Sequence, residues 1–392
     1  MRSKAVRPHV VFAGGGTAGH LFPGLAVAGR LALDAPGWRI TFAGTGREFE
    51  WRYARAARFE YAAISCRPVP RHLRDVVAFL RHNLAGYRQA ARLLAEQDVS
   101  VVIGLGGYAS VPMARAAVRR GIPLILLEQN AFPGRATRWL APTATLVCTC
   151  FEQARAHLDP RCSVRLTGNP LRPGLVRLAH QHSGADGNGH AHFTLESRRA
   201  GSNGHGRKRV LFVVGGSGGA RSLNENVPRA LAKVRDRLRS WQIVHQAGPH
   251  EVASTRNRYR QFGLDATVAP FVAEMTRVLS HTRLAISRSG GTTLAEFAAA
   301  GIPAILLPYP AAVDDHQRRN ADVFAAAGAC LTLDERTVNG AIADNLAGAM
   351  SVLLSDPARL ATMAAAARGL AQPDATWDIA TVIRQVAVGA AA

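Results

Sequence analysis

The sequence predicts an α/β protein made of two Rossmann-like, parallel-sheet domains that face each other across a cleft. Three observations lead there. Short apolar runs alternate with helical stretches along most of the 392 residues, the βα rhythm of parallel sheets. A unit of apolar strand, glycine turn and helix stands at residues 10–33 (VVFA, then GGGTAGH) and recurs at 209–238 (RVLFVV, then GGSGGA). Between these two series lies a stretch from about 180 to 206, rich in Gly, His, Ser and Asn, that carries no apolar period.

Length alone favours two domains. The predicted division is a first domain at 1–176, a flexible linker at 177–207 and a second domain at 208–372. A helix at 373–392 is expected to cross back onto the first domain. Hydrophobic content of 48% with 19% charged residues is that of a folded protein with an ample core. The uncharged run 297–313 contains three prolines and a glycine, so it does not read as a membrane span. The apolar piece at 9–13 is too short for a signal sequence. Five cysteines at 66, 148, 150, 162 and 330 fit no zinc spacing and read as reduced thiols. The net charge of +21 is uneven: residues 1–172 hold 24 Arg and Lys against 10 Asp and Glu, leaving 24 against 17 for the remainder. A basic first half suits an anionic partner, such as phospholipid headgroups, nucleic acid or a phosphorylated substrate. An arginine-rich compositional bias with a solvated surface is the plainer reading.

In chain order, the first glycine turn (14–20) opens a helix whose free N–H groups make an anion cradle. Its spacing approaches a Walker A loop, but His20 and Leu21 stand where Lys and Ser/Thr are required. No carboxylate ends the strand at 39–43, which argues against a dinucleotide fingerprint. His20, beside a helix N-terminus, would be kept neutral and could serve as a general base; a capping or packing histidine is the alternative. Residues 68–94 alternate Leu73, Val76, Val77, Phe79, Leu80 and Leu84 with Arg71, Arg74, Arg81 and Arg88. That pattern is an ordinary amphipathic helix or a docking face for an anionic bilayer. GLGGYASVP at 104–112 is a further glycine turn before a helix, and a strand at 124–127 ends in Glu128-Gln129-Asn130. Polar residues at the carboxyl end of a parallel strand point into the ligand crevice.

The most informative stretch is 287–320, SRSGGTTLAEFAAAGIPAILLPYPAAVDDHQRRN. A strand delivers the chain into the Ser289-Gly290-Gly291-Thr292-Thr293 turn, where a phosphate would meet a helix N-terminus. Glu296, one turn on, can accept hydrogen bonds from a ribose diol. The helix stops at Gly301-Ile302-Pro303, and the loop after the next strand carries Asp315, His316, Gln317 and Asn320, suited to sugar hydroxyls. Phosphate, ribose and hexose each find a partner within one unit, as in a nucleotide-sugar site. There is no Asp-x-Asp, hence no metal-chelating diphosphate motif, and helix N-termini would carry that charge instead.

GGTAGHLFPGLAVA (15–28), GLGGYASVP, EQN, GNPLR, GGSGGARSLN, SGGTTLAE with AAGIPAILLP, and HQRRNA (316–321) occur in this order. Together they resemble the bacterial peptidoglycan N-acetylglucosaminyltransferases of glycosyltransferase family 28, over almost the whole chain. The resemblance implies a GT-B fold and inverting transfer from UDP-N-acetylglucosamine to the C4 hydroxyl of undecaprenyl-pyrophosphoryl-MurNAc-pentapeptide (lipid I), giving lipid II. It implies no tightly bound cofactor or metal, a peripheral place on the cytoplasmic face of an anionic membrane, other cell-wall enzymes as partners, and no nucleic acid. By the same resemblance Gly216, Ser217, Arg172, Gly291, Thr292 and Thr293 meet the donor diphosphate, Phe271, Val272 and Met275 frame the uracil, and Glu296 holds the ribose. His316, Gln317 and Asn320 read the hexose, with Thr17, Ala18, Gly19 and Asn130 also lining the donor. Gly16, Thr17, Gly19, Gly106, Gly107 and Tyr108 face the acceptor pyrophosphate. His20 is the expected base, with Glu128 its rival, and Leu73, Val76, Val77, Phe79, Leu80, Arg71, Arg74 and Arg81 form the membrane face. Ala18, Leu127 and His316 depart from residues often found there (glycine, histidine and glutamine). Two other readings are a GT-B enzyme with another acceptor, a diacylglycerol or small aglycone, and a basic nucleic-acid-binding module.

Overall fold

The computed structural model describes residues 7–70, 72–182, 209–337 and 341–389. The first half holds a sheet of strands β1 (His9–Ala13), β2 (Arg39–Gly44), β3 (Glu60–Ala63), β4 (Val101–Gly104), β5 (Leu124–Glu128), β6 (Leu146–Thr149) and β7 (Val164–Leu166). The second half holds β8 (Arg209–Val214), β9 (Trp241–Gln246), β10 (Ala266–Ala269), β11 (Thr282–Ser287), β12 (Ala304–Leu306) and β13 (Cys330–Thr332). Their spatial orders are β3-β2-β1-β4-β5-β6-β7 and β10-β9-β8-β11-β12-β13, and all pairings are parallel. The two-domain α/β architecture expected from the alternation is thus present. In each sheet the strand order reverses at the strand that feeds a glycine turn, β1 or β8, which opens a crevice at its carboxyl end.

The helices of the first half are α1 (Ala18–Asp34), α2 (Glu48–Ala56), α3 (Val76–Glu96), α4 (Val111–Arg119), α5 (Arg135–Leu140) and α6 (Pro173–His182). Those that follow are α7 (Arg221–Lys233), α8 (Val252–Gln261), α9 (Met275–His281), α10 (Gly291–Ala300), α11 (His316–Ala326), α12 (Ile342–Ser355), α13 (Pro357–Gly369) and α14 (Ala375–Gly389). Alternate residues of each central strand serve opposite layers. Val10 and Phe12 pack with α1 and α14, through Leu21, Val27, Ile379 and Ile383, whereas Val11 and Ala13 pack with Ala90, Leu94 and Met113 of α3 and α4. In the second sheet Val210, Phe212 and Val214 face α10 and α13, while Leu211 and Val213 face α7 and α12. Both faces of these strands are covered, which is why they read as unbroken apolar runs.

The chain crosses between halves twice. Leu171, Leu175 and Ala179, at and within α6, belong to the apolar core of the second half, and α14 returns to that of the first. Because α6 continues to His182, residues 177–182 of the expected linker are helical, held by the burial of Leu175 and Ala179. The rest of that linker lies outside the described residues. The α10 stop is as expected: Gly301 is left-handed (φ 63°, ψ 46°), a conformation open to glycine at little cost.

Candidate active site

The first turns of α1 and α10, from opposite halves, touch. Thr292 Oγ1 donates to the Gly19 carbonyl at 2.8 Å, and Gly291 lies so close to the Gln129 carbonyl that a Cβ there would sit 1.8 Å from it. Glycine is required at 291 by this approach rather than by its backbone angles. The sequence-predicted residues Thr17, Ala18, Gly19, His20, Gly291, Thr292 and Thr293 are therefore gathered around one cleft. Both helix N-termini bring unpaired backbone N–H groups to it, a favourable place for anions.

His20 is half-buried at the mouth of this cleft. Its Nδ1 lies 3.0 Å from Thr17 Oγ1, and the tautomer with Nδ1 donating leaves the Nε2 lone pair available. A side chain at Gly106 would press on the imidazole and one at Gly107 would touch it, so the second glycine turn forms one wall of the histidine's seat. Burial lowers the pKa of His20; the negative charge of Glu128 opposes this and His316 adds to it. The imidazole is held neutral at physiological pH.

Glu128, the rival base, is 4% exposed. Its Oε1 accepts from the backbone N–H and the amide Nδ2 of Asn130, both at 3.0 Å, and its Oε2 from Gly134 N–H at 3.0 Å. It is tied into its own loop and reaches His20 by its charge. Asn320, expected to read the hexose, is fully buried: Oδ1 accepts from Ala131 N–H at 2.8 Å, and Nδ2 donates to Asn130 Oδ1 and the Ser289 carbonyl, both at 3.0 Å. Two of these bonds join the halves, so the side chain braces the cleft. His316 and Gln317 lie half-buried at the start of α11, with His316 Nδ1 bonded to the Val313 carbonyl and Gln317 Oε1 accepting from Tyr309 N–H. Two consecutive left-handed aspartates, Asp314 and Asp315, lead into that turn. Asp314 forms ion pairs with Arg135 and Arg138 of the opposite half.

Arg172 Nε donates to Glu296 Oε1 at 3.1 Å, and the guanidinium lies 4.6 Å from the centre of the Phe22 ring. Burial raises the Glu296 pKa while Arg172 opposes it. The sequence assigned these two residues to diphosphate and ribose; here they pair with each other. Phe271 is half-exposed and packs 6.2 Å from Phe22 and 6.4 Å from Tyr53, ring centre to ring centre. Val272 and Met275, expected beside it, turn their side chains into the apolar core of the second half. Gly216 (φ 91°) and the exposed Ser217 form the turn after β8. Tyr108 is half-buried at the second glycine turn. The Gly16 N–H, expected for a pyrophosphate, is already bonded to Glu50.

Three residues went unrecognised. Gln246 donates to the Gly216 carbonyl at 2.9 Å and accepts from Val272 N–H at 2.9 Å, tying the glycine turn to the Phe271 segment. It ends β9, so the rule that found Glu128-Gln129-Asn130 covers it as well. Arg288, directly after β11, is 7% exposed, pairs with Glu335 at 2.9 Å and donates to the Leu307 and Pro308 carbonyls. Glu50 sits in an amphipathic helix with no motif to mark it.

On the surface of the first half, Leu73, Val77 and Leu80 are 91%, 67% and 59% exposed. Arg74 and Arg81 are also exposed, Val76 and Phe79 half-buried, and Arg71 lies outside the described residues. The later turns of α3 bury Ala90, Leu93 and Leu94 as an ordinary amphipathic helix would, but its first turns leave Val77 and Leu80 bare beside Leu73. Among the described residues no helix is long and apolar enough to cross a membrane, and no group of three or more His, Cys, Asp or Glu is placed to hold a metal ion.

Residues 10–149 match the glycosyltransferase family 28 N-terminal domain and residues 210–378 its C-terminal domain. Relatives from Pseudomonas fluorescens and Azotobacter vinelandii are each 36% identical over 97% of this chain and 99% of their own. Each bears the name UDP-N-acetylglucosamine–N-acetylmuramyl-(pentapeptide) pyrophosphoryl-undecaprenol N-acetylglucosamine transferase. The crystal structure of MurG from Acinetobacter baumannii superposes with a TM-score of 0.71 at 29% identity, covering 96% of this chain and 99% of that one. The kitacinnamycin glycotransferase, at 18% identity and a TM-score of 0.66 over 97% and 99%, shares the fold. The chain belongs to glycosyltransferase family 28, among its pyrophosphoryl-undecaprenol N-acetylglucosamine transferases.

Proposed function

We propose that this protein transfers N-acetylglucosamine from UDP-N-acetylglucosamine to the C4 hydroxyl of lipid I, with inversion, to give lipid II. The observation that carries the reading is the meeting of the α1 and α10 N-termini around a neutral histidine. A hydroxyl acceptor needs a base, and a departing nucleoside diphosphate needs fixed dipoles and cations where its charge develops. His20 Nε2 takes the acceptor proton as the C4 oxygen bonds to the anomeric carbon and the bond to the diphosphate breaks. The amides of 291–293, the Gly216-Ser217 turn and Arg172 hold the leaving uridine diphosphate. Phe271 stacks against the base, Glu296 takes the ribose hydroxyls once Arg172 swings to the phosphates, and His316 and Gln317 read the hexose. Glu128 keeps its loop closed and its charge near His20. The donor is a substrate rather than a resident cofactor, and no metal is assigned a role.

The bare Leu73–Leu80 surface with Arg74 and Arg81 suits peripheral attachment to an anionic membrane, the cytoplasmic leaflet, where an undecaprenyl-linked acceptor would be met. The test is release of UDP from UDP-N-acetylglucosamine with and without a short-chain lipid I analogue. Acceptor-dependent release that falls by roughly 10²–10⁴-fold in kcat for His20→Ala is expected. Donor binding without turnover would point to another acceptor, and an unchanged kcat would remove His20 as base.

A further inference from the structure

The first glycine turn looks like an anion-binding nest, yet it already contains an anion. Glu50, from the first turn of α2, is fully buried, and among the described residues no cation lies within ion-pair distance of it. Its Oε1 accepts from Gly16 N–H at 2.5 Å and Thr45 Oγ1 at 2.8 Å; its Oε2 accepts from Thr45 N–H at 2.7 Å and Tyr61 OH at 2.6 Å. Two of these donors are backbone N–H groups, one to each oxygen, and they cannot reverse, so both oxygens are held as acceptors. Gly15 and Gly44 leave the room it occupies: a Cβ on either would stand 2.5 Å from a Glu50 oxygen. Tyr61 OH in turn accepts from Gly46 N–H at 2.8 Å, and burial and Glu50 raise its pKa, so it stays a donor. The carboxylate thus bolts together the ends of β1, β2 and β3. Arg47 completes the arrangement by donating to the Gly16 carbonyl at 2.8 Å.

We infer that Glu50 is a positioning residue for the acceptor side of the reaction. By filling the nest under Gly14–Gly16 it keeps a substrate phosphate out of that half of the turn. The acceptor pyrophosphate then lies at the next N–H groups, Ala18 and Gly19, beside His20. This rests on the lipid I reading above and adds the residue that sets where the acceptor anion binds.

The test compares wild type with Glu50→Gln and, because the first variant removes a buried network, with Tyr61→Phe. Melting temperature, UDP dissociation constant, acceptor KM and kcat are measured with UDP-N-acetylglucosamine and a short-chain lipid I analogue. Glu50→Gln faces a donor N–H₂ toward donors and is expected to raise acceptor KM by roughly 10–100-fold, the scale of a lost charge-assisted hydrogen bond. Tyr61→Phe is expected to raise it by about 3–10-fold. UDP affinity should remain within about two-fold in both, a split that a merely destabilised protein would not produce. Acceptor KM unchanged in whichever variants fold, or UDP affinity lost in parallel with it, would overturn the inference. A wild-type protein that binds UDP but ignores the lipid I analogue would count against the acceptor assignment and, with it, this role for Glu50.

Discussion

Asn320→Ala should open the cleft. The native side chain makes three hydrogen bonds in full burial, two of them to Asn130 and Ala131 of the opposite half. At about 1 kcal/mol net for each, loss of the two that cross removes about 2 kcal/mol from closure. The closed variant would also leave the Ala131 N–H, in a residue only 2% exposed, without a partner, adding about 1 kcal/mol or more. Opening lets water reach that group, so the penalty falls on closure more than on folding. A shift of about 3 kcal/mol changes the closed-to-open ratio by roughly 10²-fold. The assay is small-angle scattering of the free protein together with UDP affinity. UDP lacks the hexose, so it separates a lost brace from a lost sugar contact. Expansion with weaker UDP binding is expected; unchanged dimensions and UDP affinity with a raised donor KM would show that Asn320 acts on the sugar instead, and refute the reasoning.

Three further outcomes follow from the same structure. Arg172→Ala leaves the Glu296 carboxylate buried without its cation and should cost about 3–5 kcal/mol; Glu296→Gln added to it should recover part of that loss in denaturant melts, and full additivity of the two would deny the pairing. His245, buried between Tyr259 OH and Asn224 Oδ1 at 3.0 Å each, has its pKa pushed down to about 3 by burial. The unfolded chain therefore binds the extra proton between pH 6.5 and 3, and stability present above pH 6.5 should fall by several kcal/mol as pH drops through that window, with a flatter profile for His245→Asn. Leu73→Ser with Leu80→Ser should lower partition onto anionic vesicles by roughly 10²-fold while leaving the melting temperature unchanged, because both side chains are already in water; equal partition would discard this face.

Much of this architecture could be read in advance because buried parallel strands are apolar on both faces. Val10–Ala13 and Arg209–Val214 announce themselves, and the glycine turns after them mark the crevice. Two of the four edge strands did not: EYAA at 60–63 and CLT at 330–332 are short, half-exposed and pair on one side only, so neither period nor apolarity distinguishes them from loop. Helix α2 was missed too, and Glu50 with it, since a lone carboxylate on an amphipathic helix is indistinguishable from a solvated one until its four donors, drawn from three segments, are in place. For the site, the sequence reading grouped residues by neighbourhood and could not see direction. Val272 and Met275 adjoin Phe271 in sequence yet point into the core, and Asn320 follows Gln317 by one helical turn yet faces the opposite half. The Arg172–Glu296 pair joins positions 124 apart, a contact that only the packing of α6 on α10 creates.

The return of α14 to the first half bears on the order in which this protein can mature on the ribosome. Val10, Phe12 and Ile40 share a core with Leu21 and Val27 of α1 and with Ile379, Val382 and Ile383, so that layer of the first half remains incomplete until the α14 segment has been synthesised. The second half, whose helices α10, α12 and α13 all precede α14, has its own layers complete earlier. The half translated second is thus the first able to close, and a nascent chain stalled before residue 375 would present the unfilled apolar seat of α14 to chaperones even though its opposite half is finished.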